Sequence, residues 1–295
     1  GGKMKRTKRI IGIGCMSACA FILGSCGMRL DNQPNIKNTQ PSTQVNTNTT
    51  ATTQAQGNVQ PSTQTTSVIE ETKEIEDKNI QEQLQAIAKN KGTWIEEDFT
   101  CSYIVTDFNQ DGQLEIIKSA CQGTGIYTTS IIYEVEKGTN NLVPYERILG
   151  EFISEADIIT ESAVVYYDPD SQVYHYIFHD LAKNGAAEYY ENVRDWSLQD
   201  RKVVENFLAY KSTIYSGEGA EPVITCTNAE EGDKQKEITE EEYNQMAETV
   251  FSGLKKKQVT MNWVMKSPEE IMAMNEQEIM AMLEESWNGF YIEDA

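Results

Sequence analysis

Residues 32–66 hold 25 Asn, Gln, Ser or Thr among 35, with Lys37 as their sole charge and no aromatic side chain. Such a stretch cannot bury enough apolar area to offset the entropy of ordering it. It therefore bounds what this chain can fold: the foldable part starts near residue 68. Gln40-Pro-Ser-Thr-Gln44 returns as Gln60-Pro-Ser-Thr-Gln64, which suggests repeat expansion rather than a selected motif. As a flexible coil, roughly 40 residues reach about 35 Å r.m.s., the scale of a spacer.

Ahead of the spacer lie three unlike pieces. Lys3, Lys5, Arg6, Lys8 and Arg9 form a basic head, Ile10 to Gly24 is apolar or small throughout, and Leu23-Gly24-Ser25-Cys26 follows. A charged head, a short apolar run and small residues at a cleavage point describe a secretory signal peptide. The apolar run is shorter than the roughly 20 residues a spanning helix needs, and the basic head holds that end in the cytoplasm.

Leu-Gly-Ser-Cys resembles the lipobox of bacterial prolipoproteins. The resemblance implies diacylglyceryl attachment to the Cys26 thiol and cleavage between Ser25 and Cys26. Residues 1–25 are then the signal peptide, and 26–67 are the lipidated cysteine with its linker. The protein would stand on the outer face of the cell membrane, stably anchored once two or three acyl chains are present. The alternative is an ordinary secretory peptide, or an uncleaved anchor, with a chance cysteine.

Five of the 25 basic residues precede Cys26 and all 46 acidic residues follow it, so the mature chain sets 20 basic against 46 acidic groups. That balance excludes a nucleic-acid partner and a polybasic grip on anionic lipid. It leaves carboxylates available for divalent cations.

Residues 68–295 read as one extracytoplasmic α+β domain: an antiparallel β-meander between an N-terminal helix and C-terminal helices. Ile80, Leu84 and Ile87 fall at helical spacing, and the pattern stops near Lys91-Gly92. Strand character runs from about 100 to 226, through Thr100–Thr106, Leu114–Cys121, Ser130–Val135, Val164–Tyr167, Val173–Phe178 and a stretch opening at Ala187–Tyr190. Residues 199–211 fit either a helix face or a hairpin turning at Gln199–Lys202; the neighbouring strands favour the hairpin. The last 60 residues are expected to be helical. Thr239-Glu-Glu-Glu242 reads as a capping box opening a helix to about Lys256. Ser267-Pro268-Glu-Glu270 opens a second. Ile271-Met-Ala-Met274 returns as Ile279-Met-Ala-Met282, a period that keeps one face apolar; core packing is the reading, a methionine-rich partner surface the alternative.

Asp107-Phe-Asn-Gln-Asp-Gly-Gln-Leu-Glu115 carries the clearest chemistry. Ca²⁺ takes six to eight oxygens and needs them to converge from alternate residues. Asp107, Asn109 and Asp111 stand at positions 1, 3 and 5 of an EF-hand-type loop, with Gly112 at the sharp turn. Gln113 offers its backbone carbonyl, Leu114 is an apolar pin and Glu115 stands at position 9. Position 12 is Lys118, not the bidentate Glu, and the flanks read as strands, so this is not an EF-hand. It resembles the Asp-x-Asp/Asn-x-Asp-Gly loops between strands of secreted bacterial proteins, including integrin-like repeat families. Those families repeat the motif, whereas here it occurs once, which does not support a propeller. With the lipobox and the polar spacer it also resembles uncharacterised surface lipoproteins of Firmicutes. The alternative is a plain Asp-Gly turn with solvated acids.

Cys101 and Cys121 flank the loop symmetrically about Asp111, so a hairpin centred there makes them cross-strand neighbours within disulfide reach, and export permits oxidation. Pairing with Cys226, or reduced thiols, are the alternatives. His175 and His179 alternate with Tyr174, Tyr176 and Phe178 as on a strand, which does not suit zinc. The many tyrosines could form a carbohydrate platform, though tyrosine is common in strands.

These readings lead to a membrane-anchored, non-catalytic binding or interaction module with structural calcium and an unknown extracellular ligand or protein partner. A cell-envelope hydrolase with unidentified acidic residues is the second reading.

Overall fold

A computed structural model of the chain describes residues 77–95, 101–122, 127–147, 155–217, 219–229 and 235–295, with Cys121, Gln122 and Tyr127 described in backbone only. The expected signal peptide, Cys26 and the polar spacer lie outside the described residues, all of which fall within the unit Pro61–Ala295. The domain is α+β, with two mostly antiparallel sheets and a few helices.

Helix α1 (77–89) buries Leu84 and Ile87 completely and packs Ile80 against the same core. Asn90 stops it by turning its amide back to the Ala86 carbonyl at 2.8 Å. One further turn, α2 (Lys91–Trp94), sets Trp94 into the core with its Nε1 donating to the Ile87 carbonyl at 3.0 Å. The smaller sheet follows. Strands β1 (Cys101–Thr106), β2 (Glu115–Gln122), β3 (Tyr127–Val135) and β4 (Leu142–Pro144) pair in sequence order, and β13 (Val264–Lys266) adds to the free side of β1.

Among the described residues the larger sheet has nine strands. β6 (Ser162–Asp168), β7 (Val173–Asn184), β8 (Glu188–Gln199), β9 (Lys202–Ile214), β10 (Val223–Asn228) and β11 (Glu237–Ile238) form a meander. β12 (Lys255–Thr260) and β14 (Tyr291–Asp294) extend it beyond β6, while the short β5 (Glu146–Arg147) lies parallel to β9. The sequence reading of a single meander thus resolves into two sheets that share a core.

Strand periodicity explains the layering, because successive side chains take opposite faces. On β1 and β2, Tyr103, Val105 and Ile116 pack with the helices, whereas Ile104 and Ile117 pack with Val165, Tyr176, Phe178 and Trp196 of the larger sheet. Both faces of β1 are covered, so all six of its residues are buried. The far face of the larger sheet carries Tyr166, Ile177, Val193 and Ala209. Two short helices cover it, α3 (Glu240–Asn244) and α4 (Met246–Val250), through Tyr243 and the following Phe251.

The hairpin expected at Gln199–Lys202 is present: Asp200 and Arg201 turn β8 into β9 with φ of 49° and 58°, the conformation of a type I′ turn. The helical reading of the last 60 residues is overturned in part. The capping box at Thr239 forms, with Thr239 accepting from Glu242 N and Glu242 accepting from Thr239 N, yet the helix breaks at Gln245 and ends at Val250 rather than near Lys256. Gly253 reverses the chain with φ +92°, and Lys255–Thr260 enters the sheet between β6 and β14. Two ladders and the burial of Val259 outweigh the helix propensity of Lys255, Lys256, Lys257 and Gln258. The eight-residue repeat is also split. α5 (Pro268–Ala273) and α6 (Glu276–Asn288) each begin with their own capping box, at Ser267 and Asn275. Ile271, Ile279 and Met282 are core residues, as expected, and Met272 is exposed.

Candidate functional site

Thr106 and Glu115 form the last pair between β1 and β2, and residues 107–114 close the hairpin. The loop is pinned into both cores. Phe108 is fully buried between the sheets, with ring centroids 4.5 Å from Tyr176, 5.2 Å from Trp196 and 5.4 Å from Phe290. Tyr176 Oη donates to the Phe108 carbonyl at 2.6 Å. On the other side Leu114 is buried beneath the helices, as an apolar pin should be. Gln83 of α1 clamps the loop's backbone, donating to the Gly112 carbonyl at 2.9 Å and accepting from Leu114 N at 2.7 Å.

Within the loop the predicted ligands face unequal surroundings. Asp107 accepts from Asp111 N at 3.0 Å and Gly112 N at 3.1 Å. Gly112, at φ +82°, makes the turn that aims these N–H groups at one carboxylate. Asp111 accepts from Gln113 N at 2.8 Å and from Asn109 Nδ2 at 3.2 Å, so Asn109, Asp111 and Gln113 are joined near the surface. Glu115 lies deeper and is fully buried. Its Oε2 accepts from Thr106 Oγ1 at 2.8 Å and Phe108 N at 2.9 Å, while Oε1 has no hydrogen-bond partner. Leaving a buried acceptor unpaired costs roughly 1–3 kcal/mol, more when it is charged.

The electrostatics agree. Burial pushes the Glu115 carboxyl well above the ordinary range, and the charge of Asp107 adds to the shift. Burial lifts Asp107 to about 6 against the opposing N–H group of Gly112, with the nearby Asp111 charge raising it further. Among the described residues no three His, Cys, Asp or Glu side chains are gathered as a metal-ready cluster. Asp107 and Asp111 are instead engaged by backbone N–H groups. The loop thus brings Asp107, Asn109, Asp111, Gln113 and Glu115 to one hairpin end, with two carboxylates in a low-dielectric neighbourhood.

The chain matches no protein-family model, no curated protein and no solved structure. What the site can do therefore rests on its own geometry.

Three further polar groupings were not legible in the sequence. Beneath the loop, Asn109 Nδ2 donates to Tyr145 Oη at 3.3 Å and Tyr145 donates to Glu134 at 2.6 Å, while Arg201 pairs with Glu134 at 3.2 Å. Deeper in the larger sheet, Arg147 bridges Glu155 at 2.9 Å and Glu205 at 2.8 Å, and the buried Arg194 reaches both Glu205 and Asp180. Backbone N–H groups of Ala156 and Asp157 also hold Glu205 and Asp180. These enclosed carboxylates are committed to arginines. On the opposite face His175 Nδ1 lies 2.9 Å from Asp195, which also accepts from Asn206. His179 is exposed on the same strand, in the alternation the sequence suggested. All of these contacts are long-range or cross-strand; the one available signal was the placement of Arg and Glu within otherwise apolar strand runs.

The cysteine geometry needs one correction. β1 and β2 pair with Ser102 opposite Ser119 and Ile104 opposite Ile117. The register is therefore one residue off the one centred on Asp111, and a one-residue slip changes which side chains share a face. The bridge itself falls on Cys121, whose side chain lies outside the described residues. Cys226 is a buried free thiol on β10.

Proposed function

We propose that this protein is an exported, lipid-anchored binding module whose domain is stiffened by a structural calcium ion at the 107–115 loop. The observation that carries the ion is Glu115: a fully buried carboxylate with one oxygen unpartnered, directly beneath a loop that presents Asp107, Asn109 and Asp111. A hard divalent cation satisfies such an oxygen where the protein offers no donor. Asp107, Asn109, Asp111, the Gln113 carbonyl and Glu115 would hold it, and its charge would relieve the repulsion between Asp107 and Glu115. The anchor rests on the lipobox at Leu23–Cys26 and the polar spacer behind it.

The test is a melting curve of the protein with millimolar calcium and with chelator. Binding to the folded state alone stabilises by RT ln(1 + [L]/Kd), about 2.7 kcal/mol at a hundredfold excess over Kd. The missing position-12 Glu places the affinity near the weak, extracellular end, roughly 10⁻⁴–10⁻³ M. Asp111→Ala should abolish the calcium response and leave the fold formed, because Asp111 is exposed and contributes to neither core. An unchanged wild-type melting temperature would reduce the loop to an acidic turn.

A further inference from the structure

We propose that the end of the sheet sandwich beside this loop is a binding groove for a neutral saccharide. The groove encloses about 590 Å³ between three chain reversals: the loop at Asn109–Asp111, the β6–β7 turn with Ser171–Tyr174, and the β8–β9 turn with Leu198–Asp200. That volume lies within the roughly 300–1,000 Å³ of small-molecule sites.

The lining selects the ligand's chemistry. Asn109, Gln110, Gln172 and Gln199 bring carboxamides, each with two donors and an acceptor oxygen, which suits a ligand whose hydroxyls both give and take hydrogen bonds. Tyr174 adds an aromatic ring, packed against Tyr167 with centroids 4.6 Å apart. A ring with a polar tip suits a surface that is apolar on one side and wet on the other. The charged side chains on the lining are Asp111 and Asp200, so an anionic polymer is repelled.

The backbone points to the same place. Four non-glycine residues among those described have positive φ: Gln110, Gln172, Asp200 and Arg201. Three of them line this groove. Asp tolerates the left-handed region, but Gln does so poorly, and glycine would relax either turn. Gln110 has a local reason, since its carboxamide donates to the Asp107 carbonyl. Gln172 is exposed at φ +59° on the groove wall, a backbone conformation that favours glycine. Strained residues of this kind cluster at binding sites. The two walls are also tied together, because the Asn109–Tyr145–Glu134–Arg201 chain runs from the loop to the β8–β9 turn. A groove fixed in this way loses little freedom when it binds.

The inference rests on the reading of the domain as a binding module but not on calcium, and the two fail separately. The probe is affinity electrophoresis of the full chain through gels containing a soluble β-glucan, a xylan or a galactomannan, with polygalacturonate as the anionic control. Retardation by at least one neutral polymer is expected, with at least tenfold weaker binding in both Tyr174→Ala and Gln172→Gly and none to polygalacturonate. Gln172→Gly relieves a left-handed backbone, so its melting temperature should hold or rise, which separates lost binding from lost folding. Absence of retardation by every neutral polymer, equal retardation of both variants and the wild type, or retardation by polygalacturonate alone overturns the groove. A calcium-dependent melting shift without retardation leaves the ion site standing and removes the groove.

Discussion

Glu115 and Asp107 make the loop responsive to protons and, on the proposed reading, to calcium as well. Burial and the nearby Asp111 charge lift the Asp107 carboxyl from 3.8 to about 6. Between those values the folded state holds a proton that the unfolded state has released. Stability therefore falls as pH rises through that window, by at most about 3 kcal/mol for a shift near two units. On the proposed reading, calcium and the proton compete for the same oxygens. We expect calcium to raise the melting temperature at pH 7 and to do little at pH 5, with the chelated protein more stable near pH 5 than near pH 7 and Asp107→Asn removing that difference. Melting curves at the two pH values, with calcium and with chelator, check this; a larger calcium response at pH 5 would contradict it. At this scale the sequence showed which side chains the loop brings together, because their spacing along nine residues is local. It did not show that Glu115 is turned inward, since that depends on Thr106, Phe108 and a core built from distant strands.

Among the elements, α6 ties the C-terminal helices to the smaller sheet. Ile279 is 1% exposed and packs with Leu84, Ile87 and Ile271, so Ile279→Ala should cost about 2–5 kcal/mol. Met272→Ala, at a residue 54% exposed, should change stability by no more than about 0.5 kcal/mol. Chemical denaturation of both variants reads the difference, and equal effects would reject the layering described above. α1 and the β8–β9 hairpin were legible because each carries its own signal, a helical apolar stripe in one and a turn between strand runs in the other. Strand β12 was not: Lys255-Lys-Lys-Gln-Val-Thr260 has no strand alternation beyond Val259, and its conformation is imposed by β6 on one side and β14 on the other. The division into two sheets was hidden for a similar reason. β1 is buried on both faces, so Cys-Ser-Tyr-Ile-Val-Thr shows none of the alternation that marks a strand with one wet face.

At the scale of the whole molecule, the proposed anchor rests on Leu23-Gly24-Ser25-Cys26. On the proposed anchor, Cys26→Ser should abolish both palmitate labelling and processing at Ser25, because that thiol would be the group acylated; a variant that still labels would sink the anchor. The last strands of the domain carry a different consequence. β13 completes the smaller sheet by pairing with β1, some 160 residues earlier, and β12 and β14 complete the larger one beside β6. Contacts so far apart in sequence close slowly, and here neither sheet has all its strands until the chain is nearly finished. A polypeptide emerging from the ribosome would hold two unfinished sheets for most of its synthesis. For a chain exported as proposed, that late closure would delay the fold until the thread had passed the membrane, and the timing of export would be written into the order of its strands.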